Sequence, residues 1–128
     1  MDKIFHPAGE RSPLVDFDFP NHRLVLRGES YPEDAAAFFG PLLEALKAYL
    51  TPPRNGQLVF DVELAYFNSS SAKALMNMFQ MLEEAAREGA EVVVNWIYQQ
   101  DDDAMEEFGE DFSEDFQAAS FNMRPMAE

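Results

Sequence analysis

The sequence contains no cysteine. Disulfides, zinc ribbons and thiol catalysis are therefore excluded, and a reducing compartment suits the chain. Positive charge is scarce too: nine Lys and Arg stand against 24 Asp and Glu, giving a net charge of −15. Nucleic acid and anionic membranes both require clustered cations, so neither is expected as a partner. A basic patch on a protein partner fits the charge better, and the same charge also serves plain solubility. Histidine occurs only at His6 and His22, neither of them beside an acid at metal-ligand spacing, so no metal is expected. No apolar run is long enough to span a bilayer, and the segment Met1 to Pro7 lacks the apolar stretch of a signal peptide. The expectation is a cytoplasmic protein. There is no glycine-rich phosphate cradle and no G-x-S-x-G around any serine, so the chain signals neither a nucleotide cofactor nor a hydrolase nucleophile.

What the chain does have is apolar bulk. It is 47% hydrophobic over 128 residues and carries twelve Phe, enough for one domain with a substantial core. Residues 1–13 contain Pro7, Gly9 and Pro13 and read as an irregular lead-in, with a single domain over 14–128. Strand periodicity runs from Leu14 to Phe19, with Val15, Phe17 and Phe19 on one side, and resumes from Arg23 to Arg27 with Leu24 and Leu26 inward. The two make a hairpin around Pro20-Asn21-His22, ended by Gly28. Ser30 followed by Glu33 has the form of a capping box and predicts a helix from near Tyr31, with Pro32 tolerated in the first turn. Its stripe runs from Phe38 to Leu50 and is interrupted at Gly40-Pro41, where a kink is expected. A loop from Thr51 to Gly56 follows.

From Gln57 to Phe67 the pattern alternates again, with Leu58, Phe60, Val62 and Leu64 on one side. The period then changes: Ala72, Leu75, Phe79, Leu82 and Ala86 mark a helix running to about Glu88, stopped by Gly89. Glu91 to Tyr98 is β-branched and aromatic, as in a buried central strand, so a right-handed parallel crossover is expected. From Asp101 to Glu128, ten acidic residues face a single Arg124, and Met105, Phe108 and Phe112 sit at helical spacing with Gly109 a candidate break. Phe116 to Met123 is a candidate edge strand closed by Pro125. The fold class is α/β: a mixed sheet of four to five strands, built from an N-terminal hairpin and parallel crossovers, with about three helices.

Candidate chemistry is sparse. Asp101-Asp102-Asp103 lacks the spaced oxygens of a calcium loop and reads as the acidic first turn of a helix. Glu83 and Glu84 are adjacent on a helix and read as a solvated face. The remaining cluster is Asn68-Ser69-Ser70-Ser71, at the junction of strand and helix. One of these residues must cap the helix, and three hydroxyls exceed that need. A hydroxyl presented there is open to a kinase, and a phosphate would be tolerated against the helix dipole and its free N–H groups.

At these residues the sequence resembles the SiaC-type regulatory phosphoproteins of bacterial biofilm and aggregation control, which are similar in fold to STAS domains of the anti-sigma-factor-antagonist type. Gly28-Glu29-Ser30-Tyr31-Pro32-Glu33 matches the family's Gly-acid-Ser-Tyr-Pro-Glu. The segment from Tyr66 to Met76 matches Tyr-Leu-Asn-Thr-Ser-Ser-x-Lys-x-Met-Met. Leu82-Glu83-Glu84-Ala85 and Gly109 to Asp115 also fit, while Pro41 departs from the pattern. The resemblance implies a non-enzymatic adaptor without cofactor. Its unphosphorylated form would activate a diguanylate cyclase and raise cyclic-di-GMP; a serine/threonine kinase would switch it off, and a metal-dependent phosphatase would restore it. It places the phosphoacceptor on Ser69, where the family has Thr, with Ser70 and Ser71 adjacent alternatives. It places the partner-reading surface on Tyr66, Asn68, Ser70, Ser71, Lys73 and Met76. A second reading of the same resemblance is an anti-sigma-factor antagonist acting through a partner-switching serine kinase.

Overall fold

The computed structural model describes residues 2–51 and 56–127. The expected loop from Thr51 to Gly56 therefore falls, at 52–55, outside the described residues. In chain order the elements are β1 (Ile4–His6), β2 (Leu14–Asp18), a short 3-10 turn (Phe19–Asn21), β3 (Arg23–Ser30), α1 (Ala35–Leu50), β4 (Gln57–Phe67), α2 (Ser69–Arg87), β5 (Glu91–Gln99), α3 (Asp103–Ser113) and β6 (Ser120–Met126). The fold is α/β, as expected, but the mixed sheet has six strands, in the order β1-β2-β3-β4-β5-β6. β1, β2 and β3 pair antiparallel; β3, β4, β5 and β6 pair parallel.

The additional strand is β1, inside the stretch expected to be irregular. It is three residues long, too short for a periodic signal, and it forms because β2 offers it a free edge at Ile4↔Phe17 and His6↔Val15. β6 is the expected edge strand, shifted to Ser120–Met126, and Pro125 lies within it. An edge strand tolerates proline because one row of its backbone groups needs no partner.

Strand order equals chain order, so the three parallel crossovers step the same way along the sheet. Right-handed connections then put α1, α2 and α3 on one face. The burial pattern agrees. Val15, Phe17, Leu24, Leu26, Phe60, Val62, Val94 and Trp96 are buried beneath the helices. The opposite face carries the ion pairs Arg23–Asp61 and Arg27–Glu63, with Asn95 donating to Asp61 at 2.8 Å.

α1 starts at Ala35, with Asp34 as its N-cap accepting from the Ala37 N–H, and not near Tyr31. Ser30 is still in β3 and its hydroxyl is engaged elsewhere, so the Ser30/Glu33 box never forms. α1 runs on through Gly40-Pro41. Gly109 does not break α3. It is where the helix meets the sheet: a Cβ there would lie 2.4 Å from Trp96 Cδ1, and the Trp96 Nε1–H donates to the Met105 carbonyl at 2.9 Å. Only glycine allows so close an approach.

Candidate functional site

The two motifs singled out in the sequence meet at the carboxyl ends of β3 and β4. At their last turn the strands slip: Gly28 pairs with Leu64, Glu29 with Tyr66, and Ala65 has no opposite number. Gly28 takes φ +117°, a conformation that side chains strain to reach. The extra residue reverses the alternation of β4. Continued alternation would bury Tyr66 with Leu64 and expose Phe67. Instead Tyr66 is 48% exposed and Phe67 is 7% exposed, packed on Phe108 and Trp96. The bulge thus puts an aromatic side chain on the surface beside the start of α2.

That start is built with little slack. Asn68 is the N-cap, its Oδ1 accepting from the Ser71 N–H at 2.9 Å, while its own N–H donates to the Ser30 carbonyl. Ser71 is fully buried, and its Oγ–H donates to the same Ser30 carbonyl at 3.0 Å. Because that is the only proton on Ser71 Oγ, the 2.8 Å contact between the two hydroxyls must be a donation from Ser30. Tyr31 packs edge-on against Tyr66 at 5.7 Å, and its N–H donates to the Arg11 carbonyl. Pro32 is half-buried, and Glu33, exposed, pairs with Arg11. The first motif is therefore the bracket that holds the second, not a helix start.

Of the expected surface residues, Tyr66, Ser70, Lys73 and Met76 are exposed, and Asn68 is half-buried by its cap role. Ser71 is the correction: it belongs to the interior and presents nothing to a partner. Among the described residues neither Ser69 nor Ser70 makes a side-chain hydrogen bond, and both are exposed. Ser69 opens α2 on the same outward face as Lys73 and Met76, four and seven residues on, whereas the residue four beyond Ser70 is the buried Ala74. The first turn of α2 carries no acid. Among the described residues no cluster of His, Asp and Glu is able to hold a metal ion.

At the other end of α2 lies a residue that adjacency in the sequence concealed. Glu83 is 5% exposed, not solvated. Its carboxylate accepts the backbone N–H groups of Gln117, Ala118 and Ala119 at 2.9–3.1 Å and the Arg87 Nε–H at 3.2 Å, fastening the segment that leads into β6. Burial alone would raise its pKa; the three backbone donors and Arg87 outweigh burial and hold it below the ordinary glutamate value. Glu84 points to solvent.

Comparison with known proteins agrees with this architecture. The SiaC family of regulatory phosphoproteins matches residues 6–126. An uncharacterized protein of Pseudomonas aeruginosa (strain UCBPP-PA14) is 33% identical over 117 residues, covering 90% of each chain. The crystal structure of apo-SiaC from Pseudomonas aeruginosa superposes with a TM-score of 0.87 at 32% identity, covering 97% of this chain and 99% of that one. The SiaC bound in a crystal structure of the diguanylate cyclase SiaD with its activator SiaC, from the same species, gives a TM-score of 0.85 at 32% identity over 98% and 99% of the two chains. This chain belongs to the SiaC family of regulatory phosphoproteins.

Proposed function

We propose that the protein is a non-enzymatic adaptor whose unphosphorylated form binds and activates a diguanylate cyclase. A serine/threonine kinase switches it off by phosphorylating Ser69, and a metal-dependent phosphatase resets it. The observation that carries the reading is the division of labour at the start of α2: Asn68 caps, Ser71 is locked inside, and Ser69 stands exposed on the face shared with Lys73 and Met76. The crystallised relative that is named as an activator of a diguanylate cyclase supports it.

A phosphate on Ser69 adds about −1.5 to −2 charge next to free N–H groups, so the fold keeps its stability while the surface changes sign. Tyr66 and Met76, exposed by 48% and 53%, are apolar ground that a partner has to cover closely, and a hydrated phosphate between them prevents that. Intact-mass analysis with the cognate kinase and ATP tests the acceptor. Wild type and Ser70→Ala are expected to gain one phosphate and Ser69→Ala none; a Ser69→Ala protein that gains as much as wild type removes the assignment. Ser69→Asp should fold normally and fail to activate the cyclase, whereas equal activation by Ser69→Asp and Ser69→Ala would rule out the charge mechanism.

A further inference from the structure

None of the three helices lies on the other face of the sheet, and the side chains there stand in registered rows. One row crosses from Asp16 through Val25 and Asp61 to Asn95 and Asn122. The row toward the carboxyl end of β3 holds Leu14, Arg27 and Glu63 and, one position beyond the Val62↔Trp96 pair, Ile97 beside Arg124. The row on the other side holds Asp18, Arg23, Val59 and Val93. Its apolar members and those of the neighbouring rows are half-buried, as side chains on an open sheet surface are.

These rows set three arginines, Arg23, Arg27 and Arg124, against four acids, Asp16, Asp18, Asp61 and Glu63. Their net charge is −1, so fourteen of the fifteen net negative charges of the chain lie elsewhere. Two copies that meet through their acidic remainder bring like charges together, whereas two copies that meet through this face do not. A basic partner, in turn, is drawn to the acidic remainder and not to a patch near neutrality.

We propose that this face pairs with the same face of a second copy of the chain. A two-fold axis between the two sheets, parallel to β3 and β4 and midway between them, sets β3 of each copy over β4 of the other, and β2 over β5. In that aligned packing Arg27 of each copy meets Glu63 of the other, closing a ring of four alternating charges at the axis. Within one copy the same two side chains are only loosely paired, at 3.7 Å. Leu14 then meets Ile97, and Asp16, which has Lys3 at 3.2 Å, meets Asn95. The Asn95 amide gives one N–H to Asp61 and keeps a second. Six strands about 4.8 Å apart and about 20 Å long give on the order of 500 Å² per copy, or about 1,000 Å² in all, the lower bound of a specific interface. The dimer is therefore weak and concentration-dependent. It turns the helices of both copies outward, so the outer surface of α2 stays free, and it stands independently of the cyclase reading.

Sedimentation equilibrium of the full-length chain from about 10 μM to about 1 mM is the test. Wild type should pass from monomer toward dimer over that range, and a wild type that stays monomeric throughout overturns the proposal. Arg27→Glu and Glu63→Arg should each weaken association at least about tenfold, because the two-fold repeats every like-charge contact. An equimolar mixture of the two variants should recover it, because both contacts across the axis are then between opposite charges. Net charge alone predicts a different result: Glu63→Arg, which lowers the repulsion between copies, would associate more tightly than wild type. That result, or a mixture no tighter than its components, overturns the pairing. Arg27 is exposed and Glu63 half-buried, and thermal unfolding checks the fold of each variant. Amide NMR shifts of wild type on dilution need no variant. The changes should centre on Val25, Asp61 and Asn95, and changes confined to the helices would rule out this face.

Discussion

Replacing Glu83 tests whether one buried carboxylate holds the C-terminal edge of the sheet. In Glu83→Ala the Ala119 N–H, buried, loses its acceptor, while Gln117 and Ala118 are exposed enough for water to take over. Counting about 1–3 kcal/mol for the buried orphan and about 0.5–1.5 for each of the two replaced partners gives a loss of roughly 2–6 kcal/mol, centred near 4. Glu83→Gln keeps one carbonyl acceptor but turns an amide NH₂ toward the donors, for a loss of about 1–2 kcal/mol. In a chain of 128 residues each kcal/mol lowers Tm by roughly 3–5 °C, so at the centre of that range Glu83→Ala should melt about 12–20 °C below wild type. The pH dependence gives a second handle. The folded-state pKa of Glu83 is depressed, so its contribution is complete above the unfolded-state value of roughly 4.3 and disappears as pH falls through the lower folded value. Urea unfolding of wild type and Glu83→Gln, stepped from pH 7 to about pH 2, should show a gap that is constant down to mid-acid pH and then closes. Subtracting the two curves cancels the other carboxylates. Equal stability at pH 7, or a gap that persists unchanged to the acid limit, would refute the clamp.

Two further substitutions probe the scaffold by chemical or thermal unfolding. Gly109→Ala puts a Cβ 2.4 Å from Trp96 Cδ1 and 2.7 Å from Met123 Cε, so it should cost about 1–3 kcal/mol and blue-shift or broaden the single tryptophan's emission; stabilisation, as helix propensity alone predicts, would contradict the close approach. Asn68→Ala should cost about 1 kcal/mol as a lost cap, and Ser71→Ala about 1–2 kcal/mol, because it leaves the buried Ser30 hydroxyl without an acceptor; in the Ser30→Ala/Ser71→Ala pair the second change should cost much less than the first, and full additivity would count against the shared network.

The alternating strands, the second helix with its stop at Gly89, and the acidic start of the third helix were all legible because each is a local signal. Apolar period, a cap and a glycine stop lie within a few residues of one another. What was not legible depends on residues brought from far along the chain. Ser30 looked like a helix cap because its real partner, Ser71, is 41 residues away. Glu83 looked solvated because its donors lie 34 to 36 residues downstream. The outward turn of Tyr66 follows from a register slip against β3, which alternation within β4 gives no means to see. Gly109 weakens a helix in isolation, and only the position of Trp96 shows why it is there. For the site itself, residue types indicated where a phosphate is tolerated, while accessibility, which separates Ser69 and Ser70 from Ser71, is a property of the packed junction.

The two outermost strands have a bearing on how copies of this chain meet one another. A sheet ending in long, regular strands offers unpaired N–H and C=O groups onto which a neighbouring molecule can add its own strand. Here one border is β1, three residues long and led in by Lys3. The other is β6, which contains Arg124 and, in Pro125, a position with no N–H to give. Both borders are poor templates, so a chain with twelve Phe and a bare sheet face is guarded against edge-to-edge aggregation. With the borders closed in this way, exposed apolar side chains such as Tyr66 and Met76 stand at the surface without a neighbouring strand edge to recruit further copies of the chain.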